Sequence, residues 1–263
     1  MVGRLDGKVA LVTGAARGQG RSHAVTMAAE GADLMLLDLC ADLGTVGYPL
    51  SSESDLAEVA ADVTALGCRV FMARVDVRDR AGLTEAIASG VAELGGLDVV
   101  VANAAVSTVG SGRPVEAFVD AFDVDFVGVV NTFSAALRHV PDGASLICIG
   151  SVAALKGGMD TGEGGTSSVG YSLAKRFGAE YVTALARLLA PRRIRVNGVH
   201  PTNVDTQMLH SDGIYRLFRP DLESPGREDV IDSFRSYHPM GVPYVDPSDV
   251  SAAVLFLASD EFR

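Results

Sequence analysis

The chain lacks what membranes and nucleic acids ask of a partner. Its apolar stretches, such as those at 99–102 and 146–149, fall far short of the ~20 residues that cross a bilayer. The opening Met1-Val-Gly-Arg-Leu-Asp-Gly-Lys8 has no apolar run of the kind a secretory signal carries, so the expected compartment is the cytoplasm. Basic residues are outnumbered, 22 against 33 acidic, for a formal net charge of −11. Nucleic acid and anionic membrane surfaces, which need clustered cations, are therefore poor candidates as partners. Cysteine is scarce: Cys40, Cys68 and Cys148 are spaced too far apart for a disulfide framework, and no pair has zinc-ligand spacing, so no metal is expected. Lysine is scarcest of all. Only Lys8, Lys156 and Lys175 interrupt a chain that otherwise writes its cations as arginine.

What is present is a globular composition, 48% hydrophobic and 21% charged over 263 residues, which reads as one domain spanning 1–263. Short aliphatic runs at 9–12, 34–37, 70–75, 99–101, 146–149 and 194–199 are nearly continuous in apolar character, as strands covered on both faces are. Between them lie helix candidates at 18–30, 54–66, 80–93, 115–139 and 170–189, with a last one at 250–259. Strand–helix alternation of this kind predicts an α/β fold: a single Rossmann-type, doubly wound parallel sheet flanked by helices. Two segments break the alternation. Residues 40–54 form a Gly/Pro/Ser-rich insertion after the second strand, and 203–246 form a long stretch after the sixth, read as a lid over a pocket.

Thr13-Gly-Ala-Ala-Arg-Gly-Gln-Gly20 joins the first strand to the first helix. Gly14, Gly18 and Gly20 remove Cβ atoms where the chain turns sharply and where backbone must approach a pyrophosphate. The helix start behind them offers free N–H groups and a favourable dipole. Asp38 closes the second strand, 18 residues past Gly20, where a carboxylate can accept both adenosine ribose hydroxyls and repel a 2′-phosphate. That favours NAD over NADP. Arg17 is open to two readings, a 2′-phosphate ligand or a solvated loop cation.

Tyr171 and Lys175 are four residues apart on a predicted helix and so share a face. A compact ammonium beside a phenol can lower its pKa from ~10 and ready it for proton transfer. Ser151 follows the fifth strand and opens at the sheet edge that carries the glycine turn.

Together, Thr13-x3-Gly18-x-Gly20, Asp38, Asp76-Val77, Asn103-Ala104, Ser151 and Tyr171-x3-Lys175 resemble the short-chain dehydrogenases/reductases. Ile194-Arg-Val-Asn-Gly-Val-His-Pro201 and Thr206 extend the resemblance over essentially the whole chain. It implies Tyr171 as general acid/base, Ser151 as the hydrogen-bond donor to substrate oxygen, and Lys175 on the nicotinamide ribose. Asp76 and Val77 would contact adenine, Asn103 would flank its ribose, and Thr206 would meet the carboxamide. The same resemblance places Gly14, Arg17, Gly18, Gln19, Gly20, Asp38, Leu39, Ala104, Pro201 and Val204 along the cofactor. The stretch from Thr13 to Ala24, then Asp38-Leu-Cys40 and the insertion through Tyr48-Pro-Leu50, is similar to the carveol-dehydrogenase-like branch and to the mycofactocin-associated oxidoreductases of actinobacteria. That likeness implies tightly held NAD, a redox peptide as electron acceptor, a hydrophobic terpenoid or cyclic alcohol as substrate, and a homotetramer or homodimer.

The chain departs from the family pattern in three places. It reads Ala102-Asn-Ala-Ala105 where the family has Asn-Asn-Ala-Gly, and Asp125 stands where the family usually has Asn. An aspartate accepts the same hydrogen bonds but donates none, and its charge favours Lys175 as ammonium. Asp125 is thus either a working variant of the proton relay or a weakening of it. The family's last strand and glycine-rich tail would also follow Glu261-Phe-Arg263. Of the remaining residues, His200 reads as structural, and His210 and His238 sit in the lid too scattered for metal. Met208, Leu209, Ile214, Tyr215, Leu217 and Phe218 read as the apolar face of a lid helix. Phe118, Phe122, Phe126 and Val130 would offer an apolar face for dimer packing, as in the family. The expected function is NAD-dependent interconversion of a secondary alcohol and a ketone. An NADPH-dependent carbonyl reductase or a non-catalytic nucleotide-binding protein are the competitors.

Overall fold

In the computed structural model, which describes residues 3–110, 112–155 and 165–262, the six apolar runs form six parallel strands. These are β1 (Val9–Thr13), β2 (Asp33–Asp38), β3 (Val70–Arg74), β4 (Val99–Ala102), β5 (Ser145–Ile149) and β6 (Arg195–Val199), in the order β3-β2-β1-β4-β5-β6. The order reverses between β1 and β4, so a crevice opens at the carboxyl ends of those two strands. Thr13 pairs with Leu37 and Ala102 with Cys148, which brings the ends of β1, β2, β4 and β5 to one edge.

Because side chains alternate along a strand, each central strand feeds two cores. Leu11, Met35, Val100 and Leu146 face a layer made by α3 (Arg80–Leu94), α5 (Gly128–Ala136) and α6 (Gly165–Leu189). Their neighbours Ala10, Leu34, Val101 and Ile147 face α1 (Gly18–Ala29), α2 (Glu53–Ala65) and α9 (Pro247–Ala258). β1, β4 and β5 are buried along their whole length, as a doubly covered strand requires. β3 departs from that expectation: it is an edge strand with Met72 half-exposed, and its residues are only partly covered.

Local chemistry sets the helix ends. Ser52 and Asp55 cap α2 reciprocally, Asp79 accepts the first N–H groups of α3, and Gly95 at φ 88° ends it. The helix expected over 115–139 is broken. It runs as α4 (Val115–Phe122), a π-helical turn at Asp123–Val127, and α5, ending at Ala136. A single residue inserted into the helical ladder leaves the apolar period almost unchanged, so the sequence does not announce it, yet it re-aims the side chains inside the turn.

The segment 203–246 carries α7 (Asp212–Phe218) and α8 (Arg227–Tyr237) over a small core of their own, with Leu209, Tyr215, Val230 and Phe234 buried. A bridge between Val204 and Val245 ties its two ends together, so the excursion leaves and rejoins the fold at one point. No helix among the described residues is long and apolar enough to cross a membrane. Lys156 lies outside the described residues.

Candidate active site

Two cavities meet at the crevice. The first is lined by the glycine turn, Asp38, Asp76, Val77, Asn103 and Ala104, and reaches Tyr171 and Lys175. The second, of about 330 Å³, is walled mainly by apolar side chains of the lid, with Ser151 and Tyr171 at its inner end. Gln19, Gly150, Tyr171, Thr206 and Met208 border both, and mark the seam between them.

The first cavity suits a dinucleotide. Gly14 and Gly18 hold φ of 64° and 54°, which L side chains rarely adopt. A Cβ on Gly20 would lie 2.0 Å from the Gly14 carbonyl oxygen, so only glycine fits there. The first turn of α1 has no capping side chain, which leaves its N–H groups for an anion. Asn103 donates from Nδ2 to the carbonyls of Thr13 (2.9 Å) and Gly14 (3.2 Å), and so fixes the turn rather than filling the cavity. Asp38 is buried and accepts from the backbone N–H of Ala16 (2.9 Å) and of Cys40 (3.1 Å), and from the Ser51 hydroxyl (2.6 Å).

Arg17 lines this cavity with part of its guanidinium already engaged. Its guanidinium donates to the Pro49 carbonyl and lies over the Tyr48 ring, 5.6 Å from the centroid. It clasps the insertion at the edge of the cavity. Asp76 is likewise engaged: Arg78 donates to both its carboxylate oxygens and to Asp120 of α4 (2.6 Å). The 40–54 insertion crosses the mouth of this cavity with Leu43, Leu50 and Ser51 in its wall. Thr45 donates to Asp120 (2.6 Å), and the Tyr48 hydroxyl accepts from the Ser107 N–H (3.0 Å). Burial pushes the Tyr48 phenol up to about 12. The sequence marks this insertion as irregular but not as part of the site; Leu43, Leu50 and Ser51 are its contributions to the wall, and Tyr48 braces it against Ser107.

At the seam, α6 presents Tyr171 and Lys175 on one face, as their spacing requires. Ser151 starts a single 3-10 turn, Val152–Ala154, whose Ala153 N–H donates to Ser151 Oγ (3.1 Å). The Ser151 hydroxyl hydrogen-bonds the Tyr171 phenol. Lys175 is buried and donates from Nζ to the Ile149 carbonyl (3.2 Å). Asp125, turned inward by the π-helical turn and almost wholly buried, lies 3.3 Å from Lys175 Nζ through Oδ2, while Oδ1 accepts the Val106 N–H (2.8 Å). Burial works against the Lys175 ammonium, but the attraction of Asp125 and Tyr171 outweighs it and holds lysine above its usual range. Burial also raises the Tyr171 phenol; Lys175 and the Ser151 hydroxyl pull it back, whereas the Asp125 charge adds to the rise.

Of the residues expected along the cofactor, Leu39 borders the first cavity, Thr206 both, and Pro201 and Val204 the apolar one. The lid residues divide as well. Met208, Leu209, Ile214, Leu217 and Phe218 face the cavity, but Tyr215 turns into the lid core and meets His210 Nδ1 at 2.8 Å. His210 Nε2 meets Asp205 at 2.5 Å, and His200 Nδ1 lies 3.2 Å from the Ser151 carbonyl, so both are structural ties.

With this geometry in place, the comparisons are direct. The sequence family described as Enoyl-(Acyl carrier protein) reductase matches residues 14–263. The chain belongs to the short-chain dehydrogenase/reductase family. It is 40% identical to a (-)-trans-carveol dehydrogenase of Rhodococcus erythropolis over 99% of this chain and 94% of that protein. A cyclohexanol dehydrogenase of Rhodococcus sp. is 33% identical over 97% of this chain and 91% of its own length. The crystal structure of carveol dehydrogenase from Mycobacterium avium in complex with NAD superposes with a TM-score of 0.92 at 45% identity, covering 98% of this chain and 93% of that one.

Proposed function

We propose that this short-chain dehydrogenase/reductase interconverts a secondary, hydrophobic cyclic alcohol and its ketone, with NAD as the hydride carrier. The observation that carries the reading is the seam. Ser151, Tyr171 and Lys175 converge where a cavity with a glycine turn and a buried Asp38 opens into an apolar cavity. NAD, when bound, supplies the hydride acceptor. The chain's own residues supply the rest. The Ser151 hydroxyl orients the substrate oxygen, and the Tyr171 hydroxyl oxygen takes the proton as the carbon–oxygen double bond forms. Lys175, kept charged by Asp125, stabilises the phenolate that Tyr171 needs in order to accept that proton. Support for NAD over NADP comes from Asp38 facing the ribose end and from Arg17 being committed to Pro49 and Tyr48. Burying a phosphate dianion against that carboxylate is costly.

The ties of the 40–54 insertion to Asp38, Asp120 and Ser107 support a tightly held NAD. A cofactor that stays in place needs a partner to reoxidise it, and the redox peptide mycofactocin is the reading the resemblance carries. The exposed apolar side chains of Val115, Val119, Phe177 and Leu188 on α4 and α6 support a homodimer or homotetramer. The cytoplasm fits three unpaired cysteines, of which Cys40 and Cys148 are buried thiols pushed up to about 11 by desolvation. The deciding experiment is Tyr171→Phe, assayed with a cyclic alcohol, with the dinucleotide released on denaturation identified for both proteins. Turnover should fall by about 10³-fold while the released cofactor remains NAD; undiminished turnover removes Tyr171 from the chemistry.

A further inference from the structure

Gln19, the second residue of α1, sits in the wall of both cavities. Its Oε1 is sealed from solvent and has no hydrogen-bond partner among the described residues. Around it the turn is fully committed: Asn103 holds the carbonyls of Thr13 and Gly14, and Gly18 packs near the Thr206 methyl. A buried amide oxygen left unpaired is costly, and most such groups in folded proteins find a donor. Since none of the described residues offers one, a bound ligand is the natural source of that donor.

Resting on the reading that NAD fills the first cavity, the ligand donors at the seam are the nicotinamide ribose hydroxyls, which that reading sets against Lys175, the carboxamide N–H2 of the nicotinamide, and the substrate hydroxyl. The substrate hydroxyl has a single proton, and Tyr171 takes it. We therefore propose that the Gln19 side chain accepts a hydrogen bond from the nicotinamide carboxamide and so fixes the rotation of the ring toward the apolar cavity. Gln19 is then a cofactor-positioning residue acting through its side chain, in addition to any contact its backbone makes with the pyrophosphate.

The test compares two dinucleotides on nucleotide-free protein by calorimetry: NAD, and its 3-acetylpyridine analogue, in which a methyl group replaces the carboxamide N–H2. Gln19→Met should loosen NAD roughly tenfold, about 1.4 kcal/mol, and leave the analogue within about twofold. Gln19→Glu keeps an acceptor and should retain the wild-type preference for NAD over the analogue. Equal loosening of both dinucleotides by Gln19→Met, no loosening of either, or loss of the preference in Gln19→Glu each overturns the proposal. Unchanged dinucleotide affinities with a raised KM for the alcohol also overturn it, since Gln19 then reads the substrate. Wild-type protein that binds neither dinucleotide brings down the NAD reading itself, and this proposal with it.

Discussion

The cavities on either side of Tyr171 are built by different means. The cofactor side is made of strand ends, a glycine turn and backbone groups, locked by hydrogen bonds such as Asp38 to Ala16 N–H and Asn103 to the Thr13 carbonyl. The substrate side takes much of its apolar wall from the lid, with Leu209, Ile214, Leu217, Phe218 and Tyr237, and the lid rests on a four-residue core and rejoins the fold through one bridge. A site on the sheet edge inherits the rigidity of the sheet, whereas one on an excursion is only as firm as that excursion's own packing. The cofactor can therefore be held tightly while the substrate wall adapts to different cyclic rings.

The sharpest way to break that contrast is to remove the lid core. Phe234 is fully buried and packs edge-on against Phe218, with ring centroids 4.7 Å apart. Phe234→Ala should cost about 3–5 kcal/mol of local packing. Thermal unfolding followed by near-ultraviolet dichroism should show the loss, and KM for the alcohol should rise steeply. NAD affinity should stay within about twofold, because uncoupled distant sites contribute nearly independently. If NAD affinity falls in parallel, the two cavities are one cooperative unit and the contrast is wrong.

How much could be seen in advance follows the same division. The six expected strands, the glycine turn, Asp38 and the Tyr171–Lys175 face are local patterns, so the sequence carries them directly. The partial cover of the edge strands β3 and β6 is not legible, because an apolar run looks the same at a sheet's edge as at its centre. The inward turn of Asp125 depends on one inserted helical residue, which apolar period does not record. Arg17 on Pro49, Tyr48 on Ser107 and Ser51 on Asp38 span 32, 59 and 13 residues and arise from where a loop lands, which no local period encodes. The family resemblance located the insertion but not its grip on the cofactor cavity.

A middle-sized effect tests the cofactor side. Asp38→Ala removes the carboxylate that would face a 2′-phosphate and also frees Ser51 of the insertion. The NADP-to-NAD ratio of kcat/KM should rise about tenfold or more, as for a removed charge conflict of ~1.4 kcal/mol. NAD itself should dissociate faster. An unchanged ratio would move cofactor choice away from Asp38.

The smallest expected effect lies at the seam itself. Asp125→Asn keeps an oxygen for the Val106 N–H but removes the negative charge 3.3 Å from Lys175 Nζ. That charge favours the neutral phenol of Tyr171, so removing it lowers the tyrosine pKa. Alcohol oxidation needs the deprotonated phenol, and its rate rises with pH through that pKa. The acidic limb of the kcat profile should therefore move to lower pH by about half a unit to one unit, or ~0.7–1.4 kcal/mol. In the reductive direction, where the phenol must donate, the basic limb should move the same way and narrow the active range. A shift to higher pH would mean that Asp125 acts mainly by keeping Lys175 charged; superimposable profiles would remove Asp125 from the proton chemistry and leave it a structural partner of lysine.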